Sequence, residues 1–321
     1  MEFLGGKLLQ VVIALAVFAA IIGLIMLLVD RAPKTVKDKV TVAGFLAPAA
    51  ILMLVGLVYP AVRTSMLAFT DARGQANGMD NFVWMFTQPE AVTTLRNTVI
   101  WTVLVPLLST VFGLAYAVFI DKARGERVLK ALVFMPMAIS FVGAGIIWKL
   151  VYDYRGPGIE QTGVLNYIRD ALGLGPKQFL LDAPENTIFL IIVMVWIQTG
   201  FAMVVLSAAI KGVPTELIEA ARLDGANPWQ QFRNVTVPGI RGALVVVLTT
   251  ITIATLKVFD IVRTMTAGNY DTSVVANEMY TQAFRAGEPG RGAALALVLF
   301  LLVLPIVVYN ARVLRKQREI R

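Results

Sequence analysis

Seven long runs of apolar residues set the terms on which this chain can fold. They lie at Leu8–Val29, Val42–Leu67, Thr98–Ile120, Ala131–Val151, Thr187–Ile210, Ala243–Val262 and Ala293–Val313. A helix needs about 20 mostly apolar residues to cross roughly 30 Å of hydrocarbon, where only its own backbone can satisfy its N–H and C=O groups. Each run meets that length. Barrel strands alternate over about ten residues, and no run does so. The expected fold class is therefore an all-α integral membrane protein with about seven transmembrane helices. A chain that is 57% hydrophobic and 16% charged agrees with that reading.

The first run is too long for a secretory signal and lacks a strongly basic start or a small-residue cleavage site, so it is expected to stay on the chain. The charged link Asp30 to Val40 then separates an N-terminal accessory segment, residues 1–40, from the main body, residues 41–321. The net charge of +8 follows membrane topology and points to no nucleic acid. Basic residues crowd four segments: Arg31, Lys34, Lys37 and Lys39; Lys122, Arg124, Arg127 and Lys130; Lys211, Arg222, Arg233 and Arg241; and Arg312, Arg315, Lys316, Arg318 and Arg321. The positive-inside rule puts all four in the cytoplasm, with the N-terminus outside and the C-terminus inside. Three external segments remain, Phe69 to Arg96, Tyr152 to Glu185 and Arg263 to Gly292. In the second, Val164 to Ile168 reads as an amphipathic piece on the membrane surface, and in the third Ala267-Gly268-Asn269 reads as a turn.

The chain contains no cysteine and no histidine. Disulfides, histidine metal sites and every histidine-dependent acid–base scheme are thereby excluded, and no metal site is expected. No Gly-x-x-x-x-Gly-Lys cradle for nucleotide phosphates is present, because the pair Gly6-Lys7 lacks the earlier glycine and is followed by Leu8. No cofactor is expected on this chain, and no enzymatic activity.

A polar island at residues 211–241 interrupts the apolar pattern. It carries Glu219-Ala220-Ala221, then Gly225 after three residues, then Val235-Thr236-Val237-Pro238 after nine more. Thr215 reads as a helix N-cap, and Gly225 as a left-handed C-terminal cap. Asn227-Pro228 restarts a helix with Asn as cap and Pro in the first turn, and places Trp229 and Phe232 on one side. Leu217, Ala220, Ala221 and Asp224 share a narrow face that another surface can approach closely. Two readings fit: a connector resting on lipid headgroups, or a docking element for a soluble partner.

That pattern resembles the Glu-Ala-Ala loop signature of permease subunits in binding-protein-dependent ABC importers, with Val235 and Val237 in place of larger aliphatic residues. The resemblance extends from about Val42 to the C-terminus, and it is to the MalF-type carbohydrate permeases. It is carried by Phe45-Leu46-Ala47-Pro48-Ala49, Asn97-Thr98, Phe134-Met135-Pro136 and Val213-Pro214-Thr215-Glu216-Leu217. Lys257-Val258-Phe259-Asp260-Ile261-Val262 with Met265-Thr266-Ala267-Gly268-Asn269 looks most like the α-glucoside (AglF-like) branch.

The resemblance implies a six-helix MetI-like core behind the accessory helix, and a cytoplasmic coupling helix formed by the loop. The implied partners are a second, MalG-type permease, two ABC ATPase subunits that use ATP and magnesium, an extracytoplasmic sugar-binding protein, and membrane lipid. Glu219, Ala220, Ala221, Asp224, Gly225, Trp229 and Pro238 would form the ATPase contact, in a bacterial or archaeal inner membrane. The family's sugar-contacting positions fall on Met194, Ile197, Gln198 and Phe201, and on Ile251, Ala254, Thr255 and Val258. Gln198, Phe201 and Thr255 are the favoured contacts.

Residues alone leave alternatives. Intramembrane threonines bond their own helix backbone, and Phe201 and Trp196 can serve packing. Lys257 and Asp260, three apart, read as an intrahelical ion pair with a structural or gating role. An ion-coupled carrier would need an acidic residue at the membrane midplane, which only Asp260 approaches. A membrane hydrolase or transferase would need a convergent catalytic set that the sequence does not display.

Overall fold

A helix that is apolar on every face can turn to lipid or to the protein interior, and of the long apolar segments the one from Glu185 to Lys211 is the most buried. The run from Thr187 becomes that helix. The computed structural model describes all residues except 1, 32, 34–35, 121–122, 157 and 320–321, and all side chains except additionally those of 2–9, 28 and 314–319. Lys34, Lys122, Pro157 and Arg321 thus lie outside the described residues, as do the side chains of Arg315, Lys316 and Arg318.

The described residues are helical, in the order α1 (Glu2–Arg31), α2 (Lys37–Met53), α3 (Tyr59–Leu67), α4 (Asp80–Thr87), α5 (Pro89–Ile120), α6 (Glu126–Phe134), α7 (Phe141–Val151), α8 (Val164–Ala171), α9 (Glu185–Lys211), α10 (Thr215–Leu223), α11 (Pro228–Gln231), α12 (Val237–Gly239), α13 (Arg241–Leu256), α14 (Asp260–Met265), α15 (Val275–Phe284) and α16 (Pro289–Glu319). Five helical segments are long and apolar enough to cross a membrane, and the number rises to seven if two bent pairs each count as one span.

Two of the seven runs read from sequence fall on bent helix pairs. The span read at Ala131–Val151 breaks by 103° between Glu126–Ala138 and Phe141–Val151. Pro136 lies in a 3₁₀ turn there, Ile139 is extended, and the Ser140 hydroxyl caps α7 by accepting from Gly143 N at 3.1 Å. The span read at Ala243–Val262 begins after a 68° bend and stops at Leu256, with α14 separate from it. Two π-helical turns have a common cause. Leu54–Val58 and Phe232–Thr236 each end two residues before a proline, Pro60 and Pro238. Proline lacks an N–H and its ring collides with the carbonyl four residues back, so a local widening lets the helix run through.

The chain separates into two compact units, Met1–Met66 and Leu67–Arg321. In the first, α1 packs on α2, where a Cβ added to Gly44 would lie 3.0 Å from Ile25 Cγ2. This pairing carries the compact boundary past the charged link read from sequence.

In the second unit α9 is the centre, with Leu190, Ile191, Met194, Ile197, Met203 and Leu206 buried. It runs beside α5, and their approach is closest at Gly113, where a Cβ would fall 2.5 Å from Ala202 Cβ and 2.8 Å from Met203 N. A second apolar cluster joins Met85, Leu256, Val275, Leu295 and Leu299. The segment read as external, Arg263 to Gly292, holds the last residues of α14, all of α15 and the start of α16, and Ala267 and Gly268 are left-handed as the turn reading required.

α5 and α9 point the same way, which gives the unit two poles. At one, Glu126 just beyond α5 pairs with Lys211, the last residue of α9. At the other, Asn97 near the start of α5 and Asn186 at the start of α9 both hold residues 270–273. The 27 residues of α9 separate the poles by about 40 Å.

Candidate functional site

The polar island folds as read, with one shift. Helix α10 starts at Thr215, but Pro214 occupies the cap position and no side chain caps it, so Thr215 is the first helical residue and not the N-cap. Gly225 is left-handed at φ 82°, a conformation that costs a residue with a Cβ about 1–2 kcal/mol. Ala226 N donates to Ala221 O at 3.0 Å across it. Asn227 and Gln230 form a reciprocal capping box at 2.8 and 2.9 Å, with Pro228 in the first turn of α11. The Trp229 and Phe232 rings stack at 5.6 Å, as their spacing implied.

The result is a helix–turn–helix that the second unit leaves uncovered. Glu219, Ala220, Asp224, Gly225 and Pro238 are exposed, Ala221 is half-buried, Leu223 is 89% exposed and Trp229 66%. Exposed apolar side chains on a helix carried at one pole of a bundle mark a surface that meets something else. Its root is fixed ionically. Glu126 accepts from both Lys130, at 2.9 Å, and Lys211, and Lys130 also reaches the Ser207 hydroxyl. These contacts join the start of α6 to the end of α9, four residues before α10.

The residues read as substrate contacts sit elsewhere. Met194, Ile197 and Gln198 on α9, and Thr255 and Val258 around the end of α13, are buried, while Phe201 is half-buried. Met194, Ile197, Ile251 and Val258 share one apolar cluster, with Phe201 and Ala254 packed against it. The Thr255 hydroxyl donates to Ile251 O at 2.7 Å, and Thr199, Thr249 and Thr252 likewise bond their own helix. Thr255 therefore has its donor occupied.

The Lys257–Asp260 reading is corrected. Lys257 closes α13 and Asp260 opens α14, so the two are not on one helix, and no ion pair joins them among the described residues.

Sequence reasoning named Asn97, Thr98 and Thr266 only as carriers of the resemblance and gave the polar residues of the opposite pole no structural role. Asn97 Nδ2 donates to Asp271 O at 2.6 Å and Ser273 O at 3.0 Å, and Asn186 Nδ2 to Tyr270 O at 2.7 Å. Val275 N donates to the Thr98 hydroxyl at 2.9 Å, and the Thr266 and Thr272 hydroxyls meet at 2.6 Å. The signal was an amide at the mouth of an apolar run, which is costly there unless it has partners. Beside this knot, Trp148, Tyr152, Phe179, Phe189 and Trp196 form an aromatic cluster. Burial holds the Tyr152 phenol above its usual pKa range, and its hydroxyl donates to Phe189 O at 3.1 Å.

Residues 96–319 match the family of binding-protein-dependent transport system inner membrane components, and the chain belongs to that family. It is thus a multi-pass permease component of an inner-membrane transport system. Among curated relatives, the chain is 49% identical over 270 residues to the alpha-glucoside transport system permease protein AglF of Rhizobium meliloti, covering 84% of this chain and 80% of the relative. It is 45% identical over 278 residues to the osmoprotective compounds uptake permease protein GgtC of Synechocystis, covering 86% of this chain and all of the relative. A solved bacterial ABC transporter that imports the acidic polysaccharide alginate shares the fold, with a TM-score of 0.75 at 23% identity over 88% of this chain and 98% of the other. Family membership sets aside the ion-coupled carrier and the membrane hydrolase.

Proposed function

We propose that this chain is the sugar-translocating permease of an ATP-driven importer, with an α-glucoside or related oligosaccharide as solute. In this reading an external binding protein delivers the sugar, a second permease of the MalG type completes the path, and two separate ATPase subunits supply ATP and magnesium chemistry. Residues 41–321 form the permease domain, residues 1–40 an accessory helix, and residues 211–241 the coupling loop. The N-terminus lies outside and the C-terminus in the cytoplasm, with the basic segments and the exposed loop on the cytoplasmic face.

One observation carries the coupling: α10 presents Glu219, Ala220 and Asp224 beside bare Leu223 and Trp229, and nothing in the second unit covers them. Glu219 pairs with a basic group of the ATPase, and closure of the ATP-bound ATPases moves α10 and the helices rooted beside it as rigid bodies. The α-glucoside solute is supported by the AglF relative. Gln198 and Phe201 line its path with Thr255, and Met194, Ile197 and Val258 supply apolar walls. Thr255 contributes shape, since its hydroxyl already bonds Ile251 O. The GgtC relative favours a second reading, an osmoprotective compound as solute.

The test is uptake of labelled α-glucosides in a host without its own system, with the chain produced beside its ATPase, second permease and binding protein. Saturable uptake that stops when the ATPase is omitted is expected. Uptake by the chain alone under a proton or sodium gradient would overturn the reading, and preference for an osmoprotective compound over every α-glucoside would replace the solute.

A further inference from the structure

Two short helices at the pole opposite α10 are built inside out. In α8, Val164, Tyr167, Ile168 and Ala171 follow one another at spacings of three and four and are exposed, while Asn166 on the other face is buried. In α4, Val83 and Phe86 are exposed with the preceding Met79, and Asn81 on the other face is buried. A helix on the surface of a water-soluble protein turns its apolar stripe toward the core. These two do the reverse.

Their polar faces are clamped, so the orientation is fixed. Asn81 Nδ2 donates to Ala68 O and to Thr70 O, both at 2.9 Å. Asn166 Nδ2 donates to Asp153 O at 2.7 Å and Lys177 O at 3.0 Å, and its Oδ1 accepts from Lys177 N at 2.8 Å. Arg169, beside Asn166, spends its guanidinium on Gly175 O and Leu174 O. Both clamps grip the chain where it leaves a membrane span. Ala68 directly follows the span Lys37–Leu67, and Asp153 comes two residues after α7, which ends a bent pair that counts as one span. A Cβ on Gly290, the second residue of α16, would collide with Thr70 O, and one on Gly163, ahead of α8, with Asp153 O, so glycine is required at both close approaches.

We propose that α4 and α8 are interfacial anchors, lying along the bilayer surface with their apolar faces in the phospholipid leaflet at this pole. Depth is the first argument. A helix with its side chains is about 10–12 Å across, so one clamped to the first residues beyond a span lies about half that from the hydrocarbon edge, at the level where amphipathic helices bury one face. Aromatic residues mark the same level: Trp148 and Tyr152 at the end of α7, Tyr167 on the face of α8, and Trp84 on α4 with the Arg291 guanidinium 5.0 Å from its ring. Continuity is the second. α8 packs on α7, whose exposed Ile146, Ile147 and Leu150 are lipid-facing span residues, and α4 packs on α5 and α16, two further spans. Chemistry is the third. Neither face carries a charge, and the Tyr167 hydroxyl is its only polar side-chain group, whereas a protein partner would be met by hydrogen-bonding groups as well. The anchors precede α5 and α9, so the bilayer itself sets the level at which the two central helices begin. The inference rests on the chain being a multi-pass membrane permease and not on its solute.

The chain has no cysteine, so each one introduced is unique in it. The whole transporter, with cysteine-free partner subunits, is placed in vesicles of phosphatidylethanolamine and phosphatidylglycerol. A nitroxide is attached at Val83→Cys or Ile168→Cys on the apolar faces, or at Asp80→Cys or Asp170→Cys on exposed edges of the same helices. Collision with oxygen, which concentrates in hydrocarbon, is compared with collision with a nickel chelate, which stays in water. The oxygen-to-nickel ratio should be about fivefold higher on the faces than on the edges of both helices, as for side chains held below the headgroups. Purified binding protein should leave that ratio unchanged. Where a face variant fails to assemble, Phe86→Cys or Tyr167→Cys carries the same test.

A face ratio equal to the edge ratio on either helix overturns the proposal, because the face then lies in water. Exclusion of both reagents from a face overturns it as well: a face closed in the vesicles alone is covered by another subunit, and one closed only on addition of binding protein is a docking surface for that protein.

Discussion

The two poles of the second unit handle polarity in opposite ways. Around residues 270–275, the buried amides of Asn97 and Asn186 are spent on backbone groups of a distant segment, so that Asn97 reaches Asp271 and Ser273, and Asn186 reaches Tyr270. Around α10, side chains are exposed, the local hydrogen bonds are within the turn, and the attachment to the bundle is a set of ion pairs on Glu126. A network of buried, neutral hydrogen bonds fixes geometry, whereas a partly exposed ionic root tolerates small movements of the helix it anchors. One pole is prebuilt; the other is presented.

The largest expected effect tests the presented pole. Glu219→Lys should reduce sugar uptake and sugar-stimulated ATPase activity to background while the chain still inserts and resists heat as the parent does. Full coupling in that variant would remove α10 from the mechanism. Gly113→Leu tests the rod between the poles. Its Cβ alone would fall 2.5 Å from Ala202 Cβ, so α5 and α9 must move apart, and overpacking of this kind costs about 1–3 kcal/mol. A clear drop in the unfolding midpoint of the purified complex is expected, with loss of transport at the growth temperature. Asn97→Ala tests the prebuilt pole. It strands the carbonyls of Asp271 and Ser273, at a cost of about 1–3 kcal/mol, and should raise hydrogen exchange across residues 267–275 while leaving the ATPase contact intact. Unchanged exchange there would mean that the loop holds its shape without the clamp.

The presented pole was the more legible in sequence, for a physical reason. Caps and turns are local chemistry: Gly225 at its left-handed position and Asn227-Pro228 at the start of α11 act on neighbours a few residues away, and their spacing announces them. The prebuilt pole depends on contacts such as Asn97 with Ser273, 176 residues apart, which no window along the chain can bring together. Length and apolarity fixed where spans would lie but not their straightness, because the 103° break follows from Pro136 together with an extended Ile139. Lys257 and Asp260 misled for a similar reason. Three-residue spacing implies one face only if the helix continues, and here it ends at Leu256.

The smallest effect bears most directly on the contrast. Glu126→Gln removes the charge that Lys130 and Lys211 share, and solvent-screened ion pairs contribute little to stability, so the unfolding midpoint should barely move. Coupling should be more sensitive than stability, because the lost contacts tie α6 to the end of α9 four residues before α10. The expected outcome is ATPase activity that runs partly without sugar, and a parent that acquires the same leak at high salt, where exposed charges are screened. An equal loss of midpoint and coupling would make Glu126 an ordinary structural residue. A leak at unchanged midpoint would show that the loop helix is held by a contact weak enough to yield when its partner moves.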